Sequence, residues 1–109
     1  LLNQNGGPNH VKNYCFAPIH ANTQTNELIY TPSYFYIGHF SKFIRPKSKR
    51  ISTSVSRSTI ESTSFQNPDG KIVTVVMNKT NQNIDYKLIV GEYEARLSIL
   101  PHSIQSLIY

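Results

Sequence analysis

Hydrophobic and polar residues follow two different patterns along the chain, and the change comes near its middle. In the first half, one segment repeats apolar residues every three or four positions, namely Tyr36, Ile37, Phe40, Phe43 and Ile44. That spacing puts the apolar side chains on one face of a helix, so we predict a helix over residues 32–44. Thr31 suits the N-cap, Pro32 suits the first helical position, and Pro46 ends the helix.

After Pro46, apolar and polar residues alternate as they do in β-strands with one buried face. Such runs occur at residues 51–55, 60–65, 71–77, 84–89 and 104–109. The run at 71–77 is rich in Val and Ile, which predicts a more buried strand. Residues 67–70, Asn-Pro-Asp-Gly, predict a tight turn, because Pro presets φ and Gly accepts a positive φ. Short strands at this spacing predict an antiparallel sandwich.

The charge of the chain is concentrated in one segment. Its 109 residues include 11 Lys and Arg against 6 Asp and Glu, a formal net charge of +5. Five basic residues lie close together: Lys42, Arg45, Lys47, Lys49 and Arg50. A solvated helix end accounts for them, since cations suit a helix C-terminus, and an anionic membrane surface is the alternative partner. We expect no nucleic acid partner, because the aromatic residues cluster in the helix instead of interleaving with basic ones on a sheet face.

Residue types that carry catalytic chemistry are few. Cys15 is the only cysteine, which excludes an internal disulfide and a cysteine-based zinc site, and we expect a buried structural thiol. Glu92 and Glu94 are the least unfavourable pair of carboxylates, but as exposed neighbours on one strand they would not flank a cleft. The 4 histidines lack the spacing of metal ligands, so we predict no metal site and no cofactor.

Two further features concern processing. Residues 78–80, Asn-Lys-Thr, form an N-glycosylation sequon, and we expect Asn78 on a polar turn, compatible with a secretory route. The chain opens on Leu1 and Leu2 instead of Met, which predicts that it continues an element of a longer protein.

Several segments, taken in order, resemble the C-terminal part of the glucosylceramidases, which belong to family 30 of the glycoside hydrolases. They are residues 6–15 (GGPNHVKNYC), 18–19 (PI), 36–44 (YIGHFSKFI), 67–73 (NPDGKIV) and 100–104 (LPHSI). The resemblance implies a mixed, mainly β fold. Residues 1–46 would be the last strand, loop and helix of a (β/α)8 barrel, and residues 47–109 the antiparallel strands of a C-terminal β-sandwich.

The same resemblance implies an activity. The parent enzyme would be a retaining β-glucosidase that hydrolyses glucosylceramide-type glycolipids, without a cofactor, in the lysosome or outside the cell. Its two catalytic glutamates would lie on earlier barrel strands, so this chain would hold no catalytic residue and would be inactive without the rest of the parent chain. The alternative, from another class, is a non-catalytic β-sandwich module that binds glycolipid or an anionic membrane surface.

The loop after the last barrel strand is the segment in which the resemblance implies substrate contacts. Asn13 matches a position whose side chain contacts the sugar, while Tyr14 and His10 match neighbouring aromatic positions at the entrance. Phe16 departs from the family, whose members commonly carry Asp there. Loss of that carboxylate would remove hydrogen bonds that shape the loop.

Overall fold

The computed structural model describes residues 1–12 and 15–109, in two compact units, Leu1–Gly38 and His39–Tyr109. The first unit contains β1 (Leu2–Asn3), a short 3-10 helix (Asn9–Val11), β2 (Ile19–Asn22), β3 (Glu27–Tyr30) and most of α1 (Pro32–Ser41). The second contains the end of α1 and six strands: β4 (Lys49–Ile51), β5 (Ile60–Gln66), β6 (Ile72–Asn78), β7 (Ile84–Val90), β8 (Tyr93–Ile99) and β9 (Ser103–Ile108).

The strands of the first unit form a small sheet in the order β1-β2-β3. β1 pairs with β2 in parallel, and β2 and β3 form an antiparallel hairpin. The hairpin turn is closed by Asn22, whose Oδ1 accepts the backbone N–H groups of Gln24 and Thr25 at 3.0 and 3.3 Å. The resemblance had implied a loop between β1 and α1. The residues themselves did not predict these two strands, because each has only four residues and no clear apolar pattern.

Helix α1 begins at Pro32, as the sequence predicts. The Thr31 carbonyl accepts the Tyr34 N–H at 3.0 Å, while the Thr31 hydroxyl donates to the Pro18 carbonyl at 3.0 Å. The regular helix ends at Ser41, three residues before the predicted end at Ile44. One further turn follows, in which the Ile44 N–H bonds to the Phe40 carbonyl at 3.0 Å.

The centre of the second unit is the antiparallel sheet β4-β5-β6-β9. Its most buried strand is β6, where Val73, Val75 and Val76 are at most 3% exposed. This confirms the prediction that the Val-rich run is a buried strand. The turn before it is also confirmed, since the Gly70 N–H bonds to the Asn67 carbonyl at 2.9 Å and Gly70 has φ of +88°.

The two faces of this sheet meet different partners. On one face, Ser106 bonds to His39 at 2.9 Å and the rings of Phe65 and Phe40 meet edge to face, so the end of α1 covers it. On the other face, Gln105 of β9 donates a hydrogen bond to the Tyr86 hydroxyl of the β7-β8 hairpin. A cleft of about 970 Å³ separates the hairpin from the sheet, lined by residues 51–57, residues of β5, β6 and β7, and Tyr109.

Two strand predictions were wrong. Residues 52–55 are exposed and form no strand, because β4 ends at Ile51 and the segment that follows borders the open cleft instead of pairing with the sheet. Strand β8 was missed, although residues 93–99 alternate apolar and polar types, because the segment directly after Gly91 was interpreted as part of a turn. Among the described residues, no helix is long and apolar enough to cross a membrane.

Candidate functional site

The loop that leaves β1 is built on two glycines. The Gly6 N–H bonds to the Asn3 carbonyl at 3.0 Å, and Gly6 has φ of +82°, a conformation that favours glycine. Gly7 pairs with Cys15 across the base of the loop, with its N–H 3.2 Å from the Cys15 carbonyl. Both glycines are buried, at the base of the loop.

Of the three residues to which the resemblance gives a substrate contact, the structure places one. His10 is exposed, on the 3-10 helix within the loop. Asn13 and Tyr14 lie outside the described residues. Cys15 is exposed, so the expectation of a buried structural thiol was wrong. The backbone of Cys15 pairs with Gly7 at the base of the loop, and this pairing does not require the side chain to be buried.

An aromatic pair follows the loop. The rings of Phe16 and His20 stack with their centroids 5.2 Å apart and their planes 20° apart. His20, on β2, is 9% exposed, and its Nε2 atom has no hydrogen-bond partner among the described residues. Phe16 is 74% exposed. Phe16, the residue that departs from the family pattern, therefore stacks on His20. The sequence separation of four residues between them did not predict this contact.

The carboxylates of the second unit are engaged separately, not in a facing pair. Glu94 bonds to Lys87 at 3.1 and 3.2 Å and lies 3.6 Å from Arg96, while Glu92 lies in the turn between β7 and β8. Glu61 forms an ion pair with Lys79. Among the described residues, no group of three or more His, Cys, Asp and Glu side chains could hold a metal ion. Glu61 and Glu94 therefore pair with cations at the surface of the sandwich.

Burial shifts one titratable group in this unit. Tyr86, on the face of the hairpin that borders the cleft, has its pKa raised by burial, and the hydrogen bond from Gln105 partly offsets that rise. The hydroxyl therefore stays protonated at physiological pH and accepts the amide N–H of Gln105.

The sequon asparagine occupies a different place from the one expected. Asn78 is the last residue of β6 and is 0% exposed, so its placement on a polar turn was wrong. Its Nδ2 donates to the carbonyls of Gln82 and Leu100 at 2.7 and 2.9 Å. Its Oδ1 accepts the N–H and the hydroxyl of Thr80 at 2.9 and 2.8 Å. The amide nitrogen that would carry a glycan is committed to the inside of the sandwich.

We therefore expect Asn78 to carry no glycan in the folded protein. A glycan would have to replace a donated hydrogen and enter a space with no exposed surface. Expression through a eukaryotic secretory pathway, followed by mass spectrometry of the peptide that contains Asn78, should give the unmodified mass. Recovery of folded protein glycosylated at Asn78 would contradict this.

Comparison with known sequence families agrees with this architecture. Residues 1–44 match the glycosyl hydrolase family 30 TIM-barrel domain, and residues 47–107 match the glycosyl hydrolase family 30 beta sandwich domain. The chain belongs to glycoside hydrolase family 30. Its fold is the end of a TIM barrel followed by a β-sandwich built from antiparallel sheets, which confirms the predicted fold class.

Individual proteins of known name also resemble the chain. The lysosomal acid glucosylceramidase of Mus musculus is 37% identical over 84 residues, which are 76% of this chain and 16% of that protein. The crystal structure of SrfJ from Salmonella typhimurium is 35% identical with a TM-score of 0.93, over 100% of this chain and 25% of that one. The endo-beta1,6-glucanase BT3312 shares the fold, with a TM-score of 0.84 at 22% identity over 97% of this chain and 24% of that one. The chain thus spans about a sixth of the curated relative and a quarter of these two structures.

Proposed function

We propose that this chain is the C-terminal portion of a retaining β-glucosidase that hydrolyses glucosylceramide-type glycolipids. Family membership over both the barrel end and the sandwich carries the proposal. The glucosylceramidase relative supports the choice of a glycolipid, and its lysosomal name supports a lysosomal or secreted location. We place the boundary between barrel and sandwich after residue 46.

In this proposal the loop after β1 shapes the rim of the substrate pocket. Barrel enzymes hold their active sites at the C-terminal ends of the strands, and this loop leaves such an end. Asn13 would bond to a sugar hydroxyl through an amide that can both donate and accept. Tyr14 and His10 would border the entrance. The two catalytic glutamates would come from the rest of the parent chain, and the 109 residues by themselves would be inactive.

Kinetics of the longer protein test the proposal. We expect hydrolysis of an aryl β-glucoside and of glucosylceramide with retention of configuration, and no hydrolysis by the 109-residue chain. Asn13→Ala should lower kcat/KM about tenfold, the value of one hydrogen bond to substrate. Asn5→Ala is the matched control, since Asn5 is an exposed asparagine of the same loop, and it should leave kcat/KM unchanged. Activity in the 109-residue chain, or inversion of configuration, would refute the proposal.

A further inference from the structure

Strand β8 has one edge that no other strand occupies. Over the parts of the chain that the structure describes, β8 pairs with β7 alone, in a two-stranded sheet. The first four residues of β8, Tyr93 to Arg96, are exposed, and Tyr93 is 83% exposed. An open strand edge presents unpaired N–H and C=O groups that another chain can bond to. The outer edge of β8, on the side opposite β7, is therefore a surface on which a further strand could pair.

The geometry of the hairpin determines which backbone groups point out from this edge. Val90 and Tyr93 are partners across a two-residue connection, so they must exchange hydrogen bonds with each other. Hydrogen-bonded and non-hydrogen-bonded pairs then alternate along the antiparallel ladder. Glu94 and Arg96 both belong to non-hydrogen-bonded pairs, and their N–H and C=O groups therefore point away from β7. A strand added at this edge would bond to the backbone of these two residues.

The side chains of the same two residues carry opposite charges that the hairpin balances unequally. Glu94 bonds to Lys87 at 3.1 and 3.2 Å, whereas Arg96 lies 3.6 Å from the same carboxylate. Arg96 is directly opposite Lys87 in the register of the hairpin, and like charges in that position repel each other. The Arg96 side chain is also 79% exposed. A second carboxylate on the outer side of β8 would therefore stabilise Arg96.

We propose that β8 is a pairing edge for a second copy of this chain, with the two β8 strands antiparallel about a two-fold axis at Ala95. In this register Glu94 of one copy lies opposite Arg96 of the other, and symmetry forms the same pair twice. Both residues have outward-pointing backbone groups, so each pair is also joined by backbone hydrogen bonds. Tyr93 lies opposite Leu97 of the second copy, which adds an apolar pair on the opposite face of the strand.

The charges select this register over its neighbours. An axis at Glu94 would place two carboxylates opposite each other, and an axis at Arg96 would place two guanidinium groups opposite each other. A shift of one residue would set outward-pointing backbone groups against groups that already bond to β7. The axis at Ala95 satisfies the backbone and the side chains together. Because the contact uses the β8 edge of both copies, association through it ends at the dimer.

Sedimentation velocity of the protein over a range of concentrations tests the proposal. We expect a reversible dimer with a dissociation constant between about 1 μM and about 1 mM, because one added strand pair gives a small interface. The dimer should weaken as salt rises to about 1 M, where the Debye length falls to about 3 Å. Hydrogen exchange of the Glu94 and Arg96 amides should slow as the protein concentration rises, while that of the Ala95 amide, which bonds to β7, should not change.

Charge reversals distinguish this edge from any other contact surface. Glu94→Arg brings arginines opposite each other and Arg96→Glu brings glutamates opposite each other, so each variant should dimerise at least about tenfold more weakly. An equimolar mixture of the two variants has opposite charges at both pairs, and it should form a heterodimer about as stable as the original dimer. Lys79→Gln removes a cation of the sandwich that lies outside β8, and it should leave dimerisation unchanged.

Three results would overturn the proposal: a monomer at every concentration up to about 1 mM, a dimer that neither reversal weakens, or reversal variants that do not pair when mixed. Far-UV circular dichroism establishes that the variants are folded. Hydrogen exchange needs no variant, and a Glu94 amide that exchanges equally at low and high concentration would also overturn it. The association does not depend on the proposed enzyme activity, so a dimer without hydrolysis would count against that activity alone.

Discussion

Replacing Asn78 by Ala should lower the free energy of unfolding by about 3 kcal/mol. The side chain is 0% exposed and joins β6 to the carbonyls of Gln82 and Leu100, so its removal deletes these two bonds and opens a cavity where the buried amide stood. The hydroxyl of Thr80 also loses the acceptor at 2.8 Å. Urea unfolding of the protein, followed by circular dichroism, measures the loss as a shift in midpoint at constant slope.

Two variants separate the hydrogen bonds from the volume of Asn78. Asn83→Ala removes an exposed asparagine a few residues away and should change the free energy of unfolding by less than about 0.5 kcal/mol. Asn78→Asp keeps the size but turns the donor into a carboxylate facing carbonyl oxygens, so it should destabilise at neutral pH. Its stability should recover partly as pH falls, since a protonated carboxyl can donate again. A stable Asn78→Ala protein would show that these bonds are replaced by water at little cost.

Replacing Asn67 by Ala should lower the free energy of unfolding by about 2 to 3 kcal/mol. Asn67 is 7% exposed and satisfies three groups of the segment after α1: the Arg45 N–H, the Ser48 hydroxyl and the Phe43 carbonyl. Without the amide, the segment loses its attachment to the turn between β5 and β6. Hydrogen exchange of the Arg45 amide should accelerate along with the loss of stability.

The neighbouring Gln66→Ala variant is the control for Asn67. Gln66 is exposed, and its one side-chain bond, to the Gly70 carbonyl, is long at 3.5 Å, so we expect a change below about 0.5 kcal/mol. If both variants lose the same stability, the effect belongs to the turn as a whole and not to the three bonds of Asn67.

Prediction from sequence succeeded where one residue pattern determined one local structure. Pro32 and the spacing of apolar residues located α1, and Pro68 and Gly70 located the turn before β6. The Val-rich run predicted a more buried strand, and Val73 to Val76 are all buried. In these cases backbone geometry and burial act together, so the local sequence is sufficient.

Prediction failed where distant contacts decide the outcome. Asn78 has the sequence of a surface sequon, yet carbonyls about twenty residues away, at Ile99 and Leu100, take its amide into the interior. Strand β8 was missed although its residues alternate in hydrophobicity, and it pairs with β7 along its whole length. The contacts that the resemblance implies for Asn13 and Tyr14 stay predictions, and the stacking of Phe16 on His20 depends on the path of the chain between them.

The pairing of β9 has a consequence for inherited mutations. β9 lies beside β6, and the backbone groups of Ile72 and Tyr109 bond to each other at 2.8 and 3.1 Å. A premature stop codon before Ser103 would remove that neighbour and leave the backbone of Val73, Val75 and Val76 as an open edge. A long, apolar, unpaired edge is a template for other chains. The product of such an allele would be expected to aggregate and to be cleared by quality control, so that a late nonsense mutation would act as a loss of the whole protein.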